Sequence, residues 1–321
     1  MIRDSDSVNN TIMRICSMLE NSALKHEALL SVPSFVNKKM LVDAIQISLE
    51  TNPRLYMIES YDILENNGSC YVKPYYFYNM HCSADYLRAC NEVVNRLTKR
   101  FGLSTEYDTV LNLHDCLARN VSYQDTGKES HSMIGPLLAK TAVCEGFAKA
   151  FKFILDKLSI ENVLVVGSAY NQNRKQDERH SWNLVKLNKT WCHIDVTFDS
   201  TIRTTDMMRH DYFGLSDTDI RKDHSFASSS YPEAVSNENS YYERNNMIMR
   251  KKSDLKAEII QCLSSGKNEV VFKLPDKGNS DGLLEQVEDV INDSLCSCSQ
   301  TTAYSLFYNS AQRVFHFRAE R

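Results

Sequence analysis

The stretch TAVCEGFAKAFKFILDKLSI, residues 141–160, decides how the chain is read. Val143, Phe147, Phe151, Ile154, Leu155 and Leu158 fall on one stripe at helical spacing, so the run is an amphipathic helix. Cys144 stands at its front edge. There, unpaired backbone N–H groups and the positive end of the helix dipole favour a thiolate over a thiol. A cysteine is also a small apolar residue that packs well, so reading it as a nucleophile requires partners elsewhere in the chain.

Such partners stand downstream. ENVLVVGSAY (161–170) reads as a buried strand and NQNRKQDER (171–179) as a polar loop. HSWNLVKL (180–187) and TWCHIDVTF (190–198) then read as two strands joined at Asn188-Lys189. His180 follows Cys144 by 36 positions, and Asp195 follows His180 by 15. If Asn188 and Lys189 form a two-residue hairpin loop, Leu187 faces Thr190, Trp182 faces Asp195 and His180 faces Thr197. Side chains alternate along a strand, so His180, Trp182 and Asp195 share a face, with imidazole and carboxylate in diagonal reach. A slip of one residue would separate them. An aspartate inside an apolar strand costs desolvation unless it is paired, so Asp195 calls for a partner. A thiol, an imidazole and an orienting carboxylate are the parts of a thiol triad. Taken singly, Cys144 reads equally as a packed thiol and His180 as a surface or capping histidine. His193 shares the face of Asp195 but stands opposite Leu184, farther from Cys144. His114-Asp115, on the helical run before the thiol helix, reads as packing or capping against the core.

The blocks TAVCEGFAKAFKFIL, RHSWNLVKLNKTWCHIDVTFD and LHDCLARNVSY resemble the transglutaminase-like superfamily of papain-type thiol enzymes, particularly its bacterial branch. Members carry a V-C-[ED]-G-[YF]-[AS] helix start, an H-[AS]-W-N strand and a W-Y-H-V-D-x-T-[WF]-D strand. The first two motifs are matched closely, and Cys192 replaces the usual aromatic residue of the third. DYFGLSDTDIRKDH (211–224) resembles the segment that follows the core in the same proteins, so the resemblance covers residues 106–224. It implies an α+β, papain-like core in which a nucleophile helix packs on an antiparallel sheet, with small accessory α+β segments at both ends. It further implies Cys144 as nucleophile, His180 as its base and later general acid, and Asp195 as the carboxylate that orients the imidazole. Trp182 and Trp191, the only tryptophans, flank the site in the hairpin register and are expected to shield it and meet substrate. Ordinary core packing is the alternative for both. The oxyanion hole would include the backbone N–H of Cys144. No glutamine stands in the usual upstream position of papain-like proteases to supply a second donor.

Such a triad attacks an acyl carbon, usually of an amide, and passes through a thioester that water or an amine resolves. The branch resembled is more often associated with hydrolysis, which implies a cysteine peptidase or amidase acting on a peptide or protein substrate. A protein-glutamine transamidase or deamidase is the alternative, and a catalytically idle transglutaminase-like binding scaffold is the second. Peptide N-glycanases add paired C-x-x-C zinc ligands, and arylamine N-acetyltransferases an R-G-G-x-C-x-E context; this sequence has neither. No cofactor and no metal site is expected. The ten cysteines contain no C-x-x-C pair, Cys296 and Cys298 stand only as C-x-C, and no EF-hand calcium loop occurs.

At 321 residues the chain is expected to hold roughly two or three modules. These are an accessory α+β segment at 1–105, a catalytic core at 106–225, a connecting segment at 226–252 and a small α+β module at 253–321. In the first, helical runs at 11–18, 38–49 and 84–101 accompany a hairpin of RLYMIESYDI (54–63) and CYVKPYYFY (70–78) turned at Asn67-Gly68. The last reads as helix, strand (EVVFKLP), helix (LLEQVEDVINDSL) and hairpin (AYSLFYNSAQRVFHFRAE). A net charge of -4 and a pI of about 6.2 offer no basic face to nucleic acid or to an anionic membrane. No run approaches the roughly 18 apolar residues of a membrane span. Reduced thiols and an amino terminus without a basic-then-apolar pattern suit a cytoplasmic protein, although a secreted one trimmed of its signal peptide would read the same.

Overall fold

In the computed structural model, which describes residues 2–102, 104–171, 174–202, 207–276, 282–298 and 303–320, helices accompany antiparallel sheets in a mixed α+β chain. The chain opens with α1 (Ile2–Leu24), β1 (Leu30–Ser31), α2 (Lys38–Thr51), β2 (Ile58–Asn66), β3 (Ser69–Tyr76) and α3 (Met80–Phe101). β3 lies between β1 and β2. Asn67 (φ 48) and Gly68 (φ 74) supply the two left-handed residues that the tight loop between β2 and β3 demands.

α4 (Glu106–Asn120) follows, then β4 (Ser122–Tyr123) and β5 (Thr141–Ala142), which pair in parallel. The thiol helix α5 (Cys144–Lys157) comes next, with β6 (Asn162–Asn171), β7 (Gln176–Leu187), β8 (Thr190–Ile194), α6 (Val196–Thr201), β9 (Phe213–Leu215), α7 (Asp217–Ile220) and β10 (His224–Ser225). Five of these strands form one antiparallel sheet in the order β10-β6-β7-β8-β9. The chain ends with α8 (Tyr241–Arg244), α9 (Lys252–Ser264), β11 (Glu269–Lys273), α10 (Leu283–Ser297), β12 (Tyr304–Asn309) and β13 (Val314–Ala319), whose sheet runs β11-β13-β12. Among the described residues no helix is long and apolar enough to cross a membrane.

The apolar stripe of α5 explains why it sits where it does. Phe147, Phe151, Ile154 and Leu155 are fully buried. They share one cluster with Leu113 and Leu117 of α4, Cys90 and Val94 of α3, Ile58 of β2, and Val185, Leu187, Cys192 and Ile194 of the β7–β8 hairpin. Burying a side chain of this size stabilises by about 1.5–3 kcal/mol, so the cluster fixes α5 against one face of the sheet. Asn183 on β7 donates from Nδ2 to the Ala148 carbonyl at 3.1 Å, a polar pin within that contact.

The register expected for the β7–β8 hairpin holds from Leu187 opposite Thr190 to Asn183 opposite Ile194. Asn188 (φ 51) and Lys189 (φ 71) make its two-residue loop. β7 starts at Gln176 and pairs with β6 along its length, so the polar loop is shorter than expected; its residues 172–173 lie outside the described residues. The expected continuation of β8 through Phe198 does not occur. Asp195 leaves the ladder and becomes the N-cap of α6, its Oδ1 accepting from Thr197 N at 2.9 Å and Phe198 N at 3.1 Å. An aspartate at this position satisfies helix N–H groups that a ladder would leave to a partner strand. Trp182 and His180 therefore have no cross-strand partners on β8.

The first turn of α5 is seated against the Ser130 carbonyl, which accepts from Val143 N at 3.0 Å. A Cβ on Gly146 would collide with that same oxygen and come within 3.2 Å of the Ala142 side chain. Alanine gains roughly 1 kcal/mol over glycine in a helix interior, but backbone cannot retreat as a flexible side chain can. Gly146→Ala is expected to lower stability by about 1–3 kcal/mol, read as a shift of the urea unfolding midpoint at unchanged slope.

Candidate active site

Asp195 is the centre of the site. It is fully buried, and four hydrogen bonds converge on its two oxygens. Oδ1 serves the two N–H groups of α6 just described. Oδ2 faces His180 Nε2 at 2.6 Å and His224 Nε2 at 3.1 Å. Nε2 of His180 is committed to Asp195, and Cys144 lies close enough to the imidazole to raise its pKa alongside that carboxylate. Of the three residues expected to form a triad, His180 and Asp195 are in direct contact, and Cys144 is near enough to act on the His180 charge. Asp195 reaches His180 from a helix cap instead of a strand.

Sheet geometry brings in the second histidine. Gly167 and Ala169 on β6 stand opposite His180 on β7 and His224 on β10, respectively. Residues 165, 167 and 169 share a face, so only a hydrogen and a methyl group separate the two imidazoles from β6. A Cβ on Gly167 would collide with the Ser225 carbonyl and press on Trp182 at 3.0 Å. His224 Nδ1 faces Asp223 Oδ1 at 2.7 Å. Both of its nitrogens point at carboxylates, which against the effect of burial raise its pKa and favour the imidazolium form. His224 was not singled out from the sequence. It ends the DYFGLSDTDIRKDH segment, but a lone histidine in a polar stretch gives no sign of the face it takes.

Trp182 stacks on His180 with ring centroids 5.8 Å apart and planes at 19°, and is almost fully buried. Its Nε1 donates to His193 Nδ1 at 2.9 Å. His193 is therefore neutral, with its proton on Nε2, which donates to Asp217 Oδ1 at 2.8 Å. Burial pushes its pKa down in the same direction, against the pull of Asp217. Trp191 stands opposite Lys186, whose Nζ lies 5.8 Å from the ring centre. That is six residues along β7 from His180, roughly 20 Å at strand spacing, so the structure does not bring Trp191 to the other candidate site residues.

One turn after Asp195, Asp199 begins a second polar network. Its Oδ2 faces His114 Nε2 at 3.1 Å and its Oδ1 accepts from Tyr212 N at 3.0 Å. His114 Nδ1 and His210 Nε2 both face Asp115 Oδ1, at 3.0 and 2.8 Å. His114 is thus packed in the core and clamps α6 to α4. This group and the His180–Asp195–His224 group each bring three possible ligand atoms within 4.8 Å. In each, one carboxylate oxygen already holds both imidazoles at hydrogen-bond distance, so the polar atoms satisfy one another as proton-sharing networks.

Burial alone would lower the pKa of His180, but the charge and hydrogen bond of Asp195, helped by Cys144, hold it up at about 10. Burial would likewise raise Asp195, yet His180 and His224 keep it well below the usual carboxylate range. His114, opposed by burial but bonded to Asp115 and Asp199, is raised to about 9. For both histidines the folded pKa exceeds the ordinary 6.5. Their contribution to stability is complete below pH 6.5 and is lost as pH rises toward the folded values. Stability should therefore fall between pH 6.5 and 9, by up to about 1.4 kcal/mol per pH unit for each proton released. Asp195→Asn, which removes the charge holding the His180 proton, should flatten that slope. Urea midpoints across this range check both.

His180 borders a cavity of about 1080 Å³. Tyr123, Tyr170 and Phe198 line it on the side of the five-stranded sheet, and Phe307 and Tyr308 of the β12–β13 hairpin line it on the other. Cys144 is not on that lining, but Tyr123 lies close enough to feel the charge of Cys144 as well as that of Asp195.

No curated protein sequence matches the chain. Solved structures do, at low identity. The crystal structure of a TGase is 16% identical with a TM-score of 0.31, covering 47% of this chain and 47% of its own. A candidate cysteine protease from Cytophaga hutchinsonii is 18% identical with a TM-score of 0.30, covering 44% of this chain and 62% of its own. An arylamine N-acetyltransferase from Bacillus cereus, described with a Cys-His-Glu triad, is 14% identical with a TM-score of 0.26, covering 48% of this chain and 75% of its own. The chain therefore spans less than two thirds of the first two of these structures. Residues 95–196, the stretch that holds Cys144, His180 and Asp195, match the family model of the transglutaminase-like superfamily.

Proposed function

We propose that the protein is a thiol-dependent acyl-transfer enzyme, a cysteine peptidase or amidase that cleaves amide bonds of peptide or protein substrates through Cys144, His180 and Asp195. One observation carries the reading: a buried carboxylate 2.6 Å from an imidazole whose pKa is raised both by that carboxylate and by a cysteine at the first position of a helix. Structural histidines seldom need a thiol on one side and a buried carboxylate on the other.

The steps follow from the geometry. With its pKa held up at about 10, His180 rests as an imidazolium that keeps the proton of Cys144, and the paired sulfur attacks the carbonyl carbon of the scissile amide. Val143, the N-cap of α5, offers no side-chain acceptor, so the N–H groups of the first turn, that of Cys144 included, are free to receive the developing oxyanion. His180 returns the proton to the departing amine, leaving a thioester on Cys144. A water molecule, deprotonated by His180, attacks that thioester; the acid leaves and the thiol is restored. Throughout, Asp195 holds the ring and stabilises its imidazolium form. Trp182 covers one face of the ring and Phe198 meets it edge-on, centroids 4.9 Å apart, which limits the positions it can take.

The cavity beside His180 carries Glu178, Arg179, Lys222 and Asp223 on its lining, polar groups suited to contact a peptide substrate, and hydrolysis is the preferred fate of the thioester. The C-terminal module (253–321) contributes the opposite wall and with it substrate contact. Ten free thiols suit a reducing, cytoplasmic setting.

Two of the other cysteines, Cys82 and Cys296, are exposed, whereas Cys144 is only partly so. At pH 7 iodoacetamide is expected to label Cys144 at least about tenfold faster than either, and His180→Ala should remove that preference. Equal labelling of the three thiols in the wild type would sink the enzyme reading and favour a binding scaffold. Incubation with casein and a fluorescent amine should yield fragments without label; label incorporated into intact casein would make the protein a transamidase instead.

A further inference from the structure

We propose that His224 is a positioning residue of the same site: an imidazolium held between Asp195 and Asp223, it shares Asp195 with His180 and limits how tightly that carboxylate retains the His180 proton. The inference rests on the reading of Cys144, His180 and Asp195 as the catalytic relay.

The arrangement is built, not incidental. The side chain of His224 has no exposure, and its ring lies 5.4 Å from that of His180, 5.0 Å from Trp182 and 4.6 Å from Phe198. Asp223 is fixed in turn by the Tyr212 hydroxyl, which donates to its Oδ2 at 2.5 Å. Asn309, on β12, donates to the Tyr212 oxygen at 3.2 Å. Every polar atom of His224 is therefore paired, and Gly167 and Ala169 keep the space between the two imidazoles clear.

The consequence is electrostatic. In a site walled by aromatic rings, a lone buried carboxylate at 2.6 Å would hold an imidazolium proton too tightly for an efficient general acid. A second imidazolium on the same oxygen offsets part of that attraction while also fixing the carboxylate in place. Other groups near the pair act more weakly or are already matched. Cys144 faces His180 from α5, and Tyr123 approaches from β4. Arg179 on β7 is paired with Glu50 at 2.7 Å, Glu178 beside it is held by Arg174 at 2.8 Å, and His193 on β8 is neutral. The positive charge on His224 is thus the one that bears directly on the Asp195 oxygen that also holds His180.

The test compares the wild type with His224→Gln and Asp223→Asn, each as the full chain. Histidine ring-proton NMR gives the titration midpoint of His180, assigned by its loss in His180→Ala. The pH profile of Cys144 alkylation by iodoacetamide gives the corresponding alkaline limb. In His224→Gln both should move to higher pH by about one unit, from the loss of one charge at this distance. Asp223→Asn loosens the hold on the His224 proton but also removes a neighbouring negative charge, so the two effects oppose and the shift should stay well below that of His224→Gln. If His224 only fills space, alkylation slows with midpoint and limb unmoved, and the inference fails; a downward shift overturns it equally. Should His224→Gln not fold, as judged by near-UV circular dichroism, His224→Asn takes its place on the same criteria. If wild-type Cys144 is labelled no faster than Cys82, the catalytic reading fails, while the His180 midpoint still decides whether His224 tunes its neighbour.

Discussion

A single buried carboxylate organises this molecule. Asp195 closes the β7–β8 hairpin, opens α6 and gathers two imidazoles on one oxygen. Each role depends on the others. The cap fixes the angle of the carboxyl group, and the angle decides which oxygen meets His180. The two bonds to α6 leave that oxygen with no competing backbone donor. Removing a partner from a fully buried charge costs far more than the bond itself contributes. The elements around Asp195 therefore stand or fall together, and α6 is further held one turn on by Asp199 and His114.

The two faces of the five-stranded sheet divide the work. One face carries Val185, Leu187, Cys192 and Ile194 into the large apolar cluster with α5. The other carries His180, Trp182 and Leu184 toward Tyr212, Leu215 and Phe226, a smaller cluster rich in rings and polar pairs. The first supplies rigidity through area buried, the second through hydrogen bonds in a low-dielectric setting. A thiol at the end of a helix that is anchored on the first face can meet an imidazole on the second only at the sheet's margin, near the start of the ladder. His180 occupies that margin.

How much of this the sequence reveals depends on the length of the repeating signal. α5 is fourteen residues with a clean apolar stripe, and Asn188-Lys189 fixes a register that holds for five residue pairs, so both are legible. The turn of Asp195 into α6 is not, because Val196, Thr197 and Phe198 suit a strand as readily as a helix start, and the free N–H groups that decide the matter leave no mark in residue type. Trp191 shows the same limit from the other side: the hairpin register suggests that it flanks the site, but it stands opposite Lys186, and the distance along β7 to His180 separates the two. β10 is two residues long, too short for any period, and His224 gains meaning only through Ala169 across the ladder. The long stretch from 216 to 250, polar and without rhythm, nonetheless buries Phe226, Ala234 and Tyr242, each held by contacts distant in sequence.

Asn309 links the last hairpin to this interior. Its Nδ2 reaches both Asp211 and the Tyr212 hydroxyl, and Gln312 nearby donates to the Asp219 carbonyl at 3.0 Å. The wall of the cavity that borders His180 thus includes strands that lie well over a hundred residues beyond the thiol helix. During translation the thiol helix and its hairpin leave the ribosome first, followed only much later by the wall that completes their cleft. A growing chain accordingly carries Cys144 for a further 160 residues (304 − 144) before the first residue of β12 exists, so the helix and hairpin must hold their shape on the apolar cluster alone until that wall arrives.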